Sequence, residues 1–394
     1  EAAMTATFEG LPVRVKPGIS ARDFSSMENE RAKGMRDSGL AAVAEPFAGI
    51  TEGGALTPGL FPITSTGVST APIKAAAQAF LASLLPEQRE AAIFPVDSDS
   101  WRRWSNVHMY LMRHGVCMEQ MSGPQREAAY NLMRATLSKA GFETSLGIMR
   151  LNETIREITG RDIEFSDLLY WFSVMGEPSD TEPWGWQIDG HHLILNCFVL
   201  GDQVVLSPQF MGSEPVVATA GKYAGTRVFD AEQDRALELM QSLDASQQER
   251  AIIGTELPGE VIVAAFRDNY DIEREGLRFD AMTAGQRELA STLIETYIRR
   301  LRPGHDDVWM ADINRHIDET YFGWIGGTSD DAIFYYRVHS PVILIEFDHL
   351  PGVALDFNVA TRHHIHTTVR TPNGNDYGKD LLRQHYLRHP HNVK

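Results

Sequence analysis

The sequence predicts an α+β protein in which two similar helix-plus-antiparallel-sheet halves form one body behind an irregular N-terminal arm. One observation is a helical phrase that occurs four times in the 394 residues. The other is that segments dense in β-branched and aromatic residues, which are typical of strands, follow each pair of these phrases. We expect the arm to span residues 1–69, the first half 70–232 and the second half 233–394.

The expected arm is rich in Gly, Pro, Ser and Thr and has weak hydrophobic periodicity, so it should contain at most one or two short helices. A helical pattern begins at Ala71 in "APIKAAAQAFLASL". Proline falls in the first turn there, and apolar residues follow at i, i+3 and i+4. We therefore place the start of the folded body at about residue 70.

The repeated phrase combines an apolar residue, a short turn, Gln with Arg and Glu, and then a helical apolar pattern. Its spacing suggests a duplicated helical unit, although short helical starts can also resemble one another by chance. The four copies are "LLPEQREAAI" (84–93), "MSGPQREAAY" (121–130), "LDASQQERAI" (243–252) and "MTAGQRELAS" (282–291).

Two strand-like segments, "WGWQIDGHHLILNCFV" (184–199) and "FYYRVHSPVILIEFDHL" (334–350), occupy corresponding places in the two halves. Aligning Gln187 with Arg337 also aligns Asn196 with Glu346. If the first segment is a continuous strand, alternation places His192 on the face of Asn196 and His191 on the opposite face. A reversed register would exchange the two histidines.

Composition limits the class of partner. The formal net charge is −17, and no basic stripe exists that could bind nucleic acid or an anionic membrane. The long uncharged stretches are broken by Gly and Pro, so no membrane helix is expected. Cys117 and Cys197 are expected to be buried thiols in a cytoplasmic protein. Met4 is the expected native start, and a removed secretion leader is the alternative. The oligomeric state is not determined.

Histidines and acids in strand context point to a metal site. "TRHHIHTTVR" (361–370) holds His364 and His366 in an H-x-H arrangement, which a strand projects to one side. Buried imidazoles and carboxylates are costly unless they are paired or ligate an ion. We therefore predict a divalent transition metal, Zn, Mn, Fe or Cu, held by His192, His364, His366 and Glu346. Hydrogen-bonded core histidines are the alternative.

Further residues are candidates for chemistry or substrate contact. Glu346 or Asp348 is a candidate general base, and Arg370 a candidate catalytic or substrate-anchoring cation. Arg370 and Asp376 could instead hold the histidine-bearing strand in place, and Asp376 could also cap the helix that follows. An Arg-His-Gly sequence at Arg113 and His114 also occurs in histidine phosphatases, although here it follows no early strand. The expected substrate-binding residues are Trp184, Trp186, His191, Asn196, Arg113 and His114.

Three segments, "WGWQIDGHHLILN", "YYRVHSPVILIEFD" and "HHIHTTVRTPNGNDYGKDLLRQHY", resemble the motifs of a bacterial and fungal domain-of-unknown-function family. The family patterns are close to W-G-W-x-x-x-G-H-H-L-S-L-N, Y-Y-R-I-x-G-P-x-F-L-I-E-Y-D and N-H-I-H-S-V-W-R-D-x-x-N-D-F-G, and the resemblance runs from about Ala71 to Tyr386. The family implies no particular chemistry. This sequence departs from the family patterns at Ile194, His363, Val369 and Thr371. These departures affect the expected identity of the substrate more than the expected metal ligands.

The sequence thus predicts a metal-dependent enzyme acting on a small organic molecule, with hydrolytic or lyase chemistry through a metal-bound water. A metal-dependent oxidoreductase or oxygenase with the same ligands is an alternative. A second alternative is a non-catalytic small-molecule binding protein with a Trp-lined cleft. A phosphatase that depends on His114 is a third, and it would need no metal.

Overall fold

A computed structural model describes residues 7–8, 11–12, 24–355 and 357–389, and it shows an α+β fold. An 11-stranded and largely antiparallel sheet forms its centre. Helices pack on one face of this sheet, and irregular segments with the C-terminal helix cover the other. The predicted fold class is therefore confirmed.

The strands are numbered along the chain, and two pairs lie outside the large sheet: β1 with β2, and β3 with β10. The order in the large sheet is β11-β12-β13-β14-β15-β9-β8-β7-β6-β4, and β5 pairs with β6. The bounds are β1 Thr7–Phe8, β2 Leu11–Pro12, β3 Ile50–Thr51, β4 Ile93–Phe94, β5 Val116–Cys117, β6 Tyr170–Met175, β7 Trp184–Gly190, β8 Leu193–Leu200, β9 Gln203–Ser213, β10 Tyr270–Asp271, β11 Leu277–Arg278, β12 Tyr321–Gly326, β13 Phe334–His339, β14 Leu344–His349 and β15 Ile365–Arg370.

Ten α-helices occur in the described part of the chain, and α2 begins at Ala71 with proline in its first turn, as the pattern predicts. Short 3₁₀ helices at Phe24–Met27, Asp99–Arg102, Met118–Gln120, Phe279–Ala281, Ile317–Glu319 and Asp376–Gly378 connect the elements. The bounds are α1 Glu30–Ala44, α2 Ala71–Ser83, α3 Pro86–Ala92, α4 Gly123–Thr136, α5 Lys139–Thr159, α6 Asp230–Ser242, α7 Ala245–Ala251, α8 Ala284–Ile298, α9 His305–Arg315 and α10 Lys379–Arg388.

The N-terminal arm is more regular than its composition indicates. Its helix α1 has 15 residues, and the Asn29 side chain accepts a hydrogen bond from the Ala32 amide at its start. Because only three residues of this helix are buried, its apolar periodicity is weak. The N-cap residue and the propensity of the interior therefore specify the helix better than its hydrophobic pattern does.

The four repeated phrases begin α3, α4, α7 and α8, and two pairs of glutamines join these helices in the same way. Gln125 Nε2 donates to Gln88 Oε1 at 2.8 Å, while Gln286 Nε2 donates to Gln247 Oε1 at 2.8 Å. Gln125 and Gln286 also donate to equivalent carbonyls, those of Ser83 and Ser242. The repeated Gln thus has one structural role, which is to link two neighbouring helix starts.

The sheet shows the same correspondence. Gln187 lies opposite Asn196 on β7 and β8, and Arg337 lies opposite Glu346 on β13 and β14. The sequence alignment of the two segments places the first of these pairs on the second. At the centre of the sheet, β9 from the predicted first half pairs with β15 from the predicted second half, and the boundary between these two strands is called the seam.

The face of the sheet that contacts the helices holds the largest apolar cluster, which includes Trp184, Trp186 and Cys197. Alternation turns Ile194 and Phe198 to the opposite face, where they meet Trp101, Trp104 and other apolar residues. Cys117 and Cys197 are both buried, as expected, and neither is in a disulfide. Burial raises the pKa of the Cys197 thiol. Neither thiol is a reactive surface group.

Candidate metal centre

His191 and His192 do not lie in a strand. They form the two-residue turn between β7, which ends at Gly190, and β8, which begins at Leu193. The prediction of one continuous strand with alternating histidines was therefore wrong. Strands of folded proteins seldom exceed ten residues, and a two-residue link makes a tight hairpin here.

His192 has a φ of 63°, in the left-handed region that few non-glycine residues adopt. Its backbone is held on both sides, because its amide donates to Asn106 O at 3.2 Å and its carbonyl accepts from the Gly212 amide at 2.8 Å. The turn is thus tied to β9, and the imidazole of His192 is directed to the start of β15.

His364 and His366 flank the first residue of β15, and His366 lies opposite Gly212 on β9. The H-x-H spacing brings both rings together, as a strand requires. Gly212 leaves the space that they need. A Cβ at Gly212 would lie 2.7 Å from His366 Cδ2, 3.1 Å from His192 Cδ2 and 2.8 Å from the carbonyl oxygen of Ile365.

Three buried imidazoles meet at this point. One ring nitrogen each of His192, His364 and His366 can be chosen so that all three lie within 4.8 Å of one another. The Nε2 atoms of His364 and His366 are 3.1 Å apart. Two nitrogens bound tetrahedrally to one ion at about 2.0–2.1 Å would be separated by roughly the same distance.

The other ring nitrogens of the H-x-H pair have fixed partners. His364 Nδ1 donates to Pro351 O at 2.7 Å, and His366 Nδ1 donates to Glu260 Oε1 at 2.7 Å. The Pro351 carbonyl can only accept, so the proton of His364 is on Nδ1. An ionised Glu260 holds the proton of His366 on Nδ1 in the same way, and two Nε2 lone pairs then face each other. Metal-ligating histidines commonly have such an outer oxygen partner, which fixes the tautomer.

A protonated His366 could also satisfy the contact between the two Nε2 atoms. Burial opposes this, because it lowers the pKa of His366 well below its usual value, and the neighbouring His364 lowers it further. Burial and the two neighbouring histidines also lower the pKa of His192 well below its usual value. Neutral imidazoles are the form that binds metal ions.

Glu260, which positions His366, was not predicted from the sequence. Its side chain is 35 % exposed and lines a cavity, while its Oε1 also accepts from the Val261 amide at 3.0 Å. Burial raises the pKa of Glu260 to about 7. It lies on an irregular segment between α7 and β10, where no strand or helix period marks a single glutamate.

A cavity of about 800 Å³ opens beside the three histidines. This volume is within the usual range for small-molecule sites. Its wall contains both His191 and His192, so both histidines face the site, whereas strand alternation allowed only one. The other lining residues are Met27, Asn29, Arg31, Met35, Asn106, Val107, His108, Met109, Arg161, Glu164, Phe165, Glu214, Gly259, Glu260, Leu350, Pro351, Gly352, Val353, Ala354, His364 and His366.

His191, expected to bind substrate, is stacked on His192, with ring centroids 3.8 Å apart. Its Nδ1 contacts Asn152 Oδ1 at 2.8 Å, and the Asn152 amide donates to Ser166 O at 2.7 Å. Because the asparagine nitrogen is engaged by a carbonyl, its oxygen faces His191 and accepts the Nδ1 proton. The Nε2 of His191 therefore carries a lone pair.

Glu346, a predicted ligand and general base, does not join the three histidines and does not line the cavity. Its carboxylate accepts from the amides of Ile262 and Val263 at 2.9 Å each and from the Tyr335 hydroxyl at 2.5 Å. These bonds fasten the segment that carries Glu260 to the sheet. Glu346 thus contacts the site through Glu260's segment rather than directly.

Asp348, the other candidate base, lies opposite His366 on the neighbouring strand and is fully buried. Neither carboxylate oxygen has a hydrogen-bond partner among the described residues. Burial, with the charges of Glu260 and Glu346, raises the pKa of Asp348 to about 9. It is therefore a neutral acid at neutral pH, and it does not line the cavity.

Arg370 is fully buried away from the cavity wall, where it pairs with Asp268 at 2.8 Å and Asp376 at 3.2 Å. Its guanidinium also donates to the carbonyls of Val263 and Ala264. Asp376 in turn accepts from the Thr371 amide at 2.8 Å. Both residues therefore contact the histidine-bearing strand and the segment after it, as the strand-anchoring role requires.

The remaining predicted substrate residues lie elsewhere in the core or contact the arm. Trp184 and Trp186 donate to Ser179 O and Thr136 Oγ1 on the helix-covered face, and Asn196 bonds Gln187 and Pro208 O. His114 bonds Gln187 at 2.8 Å, and Arg113 pairs with Glu28 next to α1. Of the six, only His191 lines the cavity.

Comparison with protein families matches residues 66–379 to the model of DUF3500, described as a protein of unknown function. The chain belongs to the DUF3500 family. This confirms the resemblance to a family of unknown function, and the DUF3500 match includes all three histidines of the candidate metal centre. Helix α1 lies outside the DUF3500 match, although it contributes to the cavity wall.

Comparison with curated proteins and with solved structures gave no match. Among the described residues, no helix has both the length and the apolar character needed to cross a membrane.

Proposed function

We propose that this protein binds one divalent transition-metal ion through His192, His364 and His366 and uses it to cleave a bond in a small organic molecule. The reaction would be a hydrolysis or a lyase step in the adjoining cavity. The observation that supports the proposal most directly is the 3.1 Å contact between two Nε2 atoms whose Nδ1 protons both point to oxygen acceptors.

Three neutral histidines form a ligand set that leaves a position open, as in catalytic zinc sites. Zn, Mn, Fe and Cu are all compatible with imidazole ligands. A bound ion would supply a water of lowered pKa and would polarise a substrate oxygen. The described residues do the rest: Glu260 orients His366, Pro351 orients His364, and the cavity places a substrate beside the open position.

His191 fits the role of a substrate contact in this proposal. Its Nε2 lone pair can accept a hydrogen bond from a hydroxyl or N–H group, because Asn152 holds the proton on Nδ1. Burial, with the neighbouring His192, lowers the pKa of His191 well below its usual value, so it is neutral at neutral pH.

The first test is metal content, measured by plasma mass spectrometry on protein purified without an affinity metal. We expect about one ion per chain in the wild type and a loss of the ion in the double variant His364→Ala, His366→Ala. His363→Ala is the matched control, because His363 is a neighbouring histidine outside the three-residue group. A folded wild type that takes up no ion when Zn²⁺, Mn²⁺, Fe²⁺ and Cu²⁺ are offered would contradict the proposal.

The second test separates an enzyme from a non-catalytic binding protein. The wild type would be incubated with a panel of esters, amides and lactones, with and without the chelator EDTA. Turnover that chelation abolishes and metal restores would support the proposed hydrolysis. Metal binding without turnover, together with oxygen uptake by an Fe or Cu form, would favour the oxidative alternative instead.

A further inference from the structure

Helix α1 forms one wall of the cavity, although it lies outside the part of the chain that matches the family. Met27, Asn29, Arg31 and Met35 all line the cavity, whereas the family match begins at residue 66. This part of the cavity wall is therefore supplied by a segment that the family match does not include. Such a segment is suited to determine which substrate is accepted.

This wall has a defined position. The buried guanidinium of Arg102 donates to the carbonyls of Ala42, Val43 and Glu45 at 3.1, 2.8 and 2.7 Å, which caps the end of α1. At the other end, Glu28 accepts from Arg36 and from Arg113 at 2.7 Å each. Both ends of the helix are thus fastened to the body, and this holds Asn29, Arg31 and Met35 in the cavity wall.

The charged groups on the cavity wall are nearly all engaged. Arg161 pairs with Glu164, and the carboxylate of Glu214 accepts from the amides of three residues, Val353, Ala354 and Leu355. Glu260 is bound to His366. In the part of the chain that the structure describes, Arg31 has no ion pair or hydrogen bond for its exposed guanidinium. Glu214 and Glu260 keep their negative charge, but their hydrogen bonds turn them to backbone amides and to His366. Among the described lining residues, Arg31 is therefore the cation that is free to bind a ligand.

The rest of the wall is largely apolar. Such a surface binds the hydrocarbon part of a ligand, because burial removes apolar area from water. The apolar residues of the wall are Met27, Met35, Val107, Met109, Phe165, Leu350, Val353 and Ala354.

We propose that the substrate is an organic anion, with a carboxylate or sulfonate on an apolar body, and that Arg31 is the residue that selects the anionic group. This inference rests on the proposed function, since it names the substrate class of the same site. An ion held by three neutral histidines would add positive charge to the cavity and favour the same class. A guanidinium suits either group, because it offers several N–H donors in one plane.

A matched pair of fluorescent probes tests the proposal. 8-Anilinonaphthalene-1-sulfonate carries one sulfonate on an aromatic body, and N-phenyl-1-naphthylamine has the same body without the charge. We expect Arg31→Gln to weaken sulfonate-probe binding about fivefold or more, since one exposed charge contact is lost. Binding of the neutral probe should change less than about twofold. Arg31→Lys should restore most of the difference.

Two further variants give the test its controls. Lys33→Gln removes a charge from the same helix, but Lys33 pairs with Glu30 outside the cavity, so both probes should bind as in the wild type. Met35→Trp places a larger side chain in the wall and should weaken both probes. Unchanged sulfonate-probe binding in Arg31→Gln, or in Met35→Trp, would overturn the proposal.

Titrations are made on metal-stripped and on metal-loaded protein. The ratio of the sulfonate-probe affinities of wild type and Arg31→Gln should be the same in the stripped protein, because the arginine acts independently of the ion. An effect of Arg31 in a protein that binds no metal would overturn the proposed function and leave the anion preference standing. If the protein binds stoichiometric metal but Arg31→Gln has no effect, the anion preference is overturned and the proposed function stands.

Discussion

At the scale of single residues, the candidate metal centre depends on the missing side chain of Gly212 as much as on the three histidines. Gly212 lies opposite His366, and its amide donates a hydrogen bond to the His192 carbonyl. Any Cβ there would meet a backbone oxygen that cannot rotate away. The glycine thus makes possible the close approach of three rings.

Gly212→Ala should therefore weaken Zn²⁺ binding by about tenfold or more, the usual effect of disturbing the surroundings of a ligand. The measurement is a calorimetric titration of metal-stripped protein with Zn²⁺. Gly123→Ala is the control, because nothing lies within 4 Å of a Cβ built at Gly123. Equal affinities in the wild type and Gly212→Ala would show that the rings do not need this space.

Asp348 gives a prediction for pH dependence. Its folded-state pKa of about 9 lies above the value of an unfolded aspartate, so the folded state binds the extra proton. The free energy of unfolding should then fall as the pH rises towards 9, by up to roughly 1.4 kcal/mol per pH unit from this group alone.

Asp348→Asn should remove this contribution, so its stability advantage over the wild type should be larger at pH 8.5 than at pH 6. Urea denaturation of metal-stripped protein at the two pH values measures it. Asp37→Asn on the exposed face of α1 serves as the control. A constant difference between Asp348→Asn and the wild type would mean that Asp348 is already ionised.

At the scale of elements, the attachment of α1 to the body depends on Arg102, which joins the helix end to Asp268 at 3.0 Å. Arg102→Met would leave three carbonyls and a buried carboxylate with fewer partners. We expect a loss of about 3 kcal/mol in the free energy of unfolding. Urea denaturation measures this, with Arg388→Met at an exposed position as the control, which should change stability by less than about 0.5 kcal/mol. An unchanged midpoint in Arg102→Met would show that α1 is held by other contacts.

The elements also show what a sequence can and cannot specify. The H-x-H of β15 was predictable, because strand alternation alone puts His364 and His366 on one side. The turn at His191 and His192 was missed, although Gly190 and the length of the apolar run were signals for a hairpin. Glu260 and Arg31 could not be found this way, since their proximity to the histidines results from tertiary packing.

At the scale of the whole molecule, the two glutamine pairs occupy corresponding places and share no partner. Gln125→Leu and Gln286→Leu should each cost about 1–3 kcal/mol, because each leaves a buried amide without its partner. The costs should add within about 0.5 kcal/mol in the double variant, as for independent sites. Unfolding free energies from urea titrations measure this.

The contrasting control is the double variant of one pair, Gln247→Leu with Gln286→Leu. Both substitutions remove the hydrogen bonds between these two side chains, so their joint cost should be smaller than the sum of the single costs. If the first double variant is as non-additive as the second, the two helix pairs do not respond independently.

The pairing of β9 with β15 has a consequence for how the protein would behave in the cell. His192 belongs to the first half, whereas His364 and His366 belong to the second, on opposite sides of this seam. An ion bound there would be a reversible crosslink between the two predicted halves. By mass action, each increase in free metal above the dissociation constant would raise the free energy of unfolding. The lifetime of the folded chain would then depend on the concentration of free metal around it.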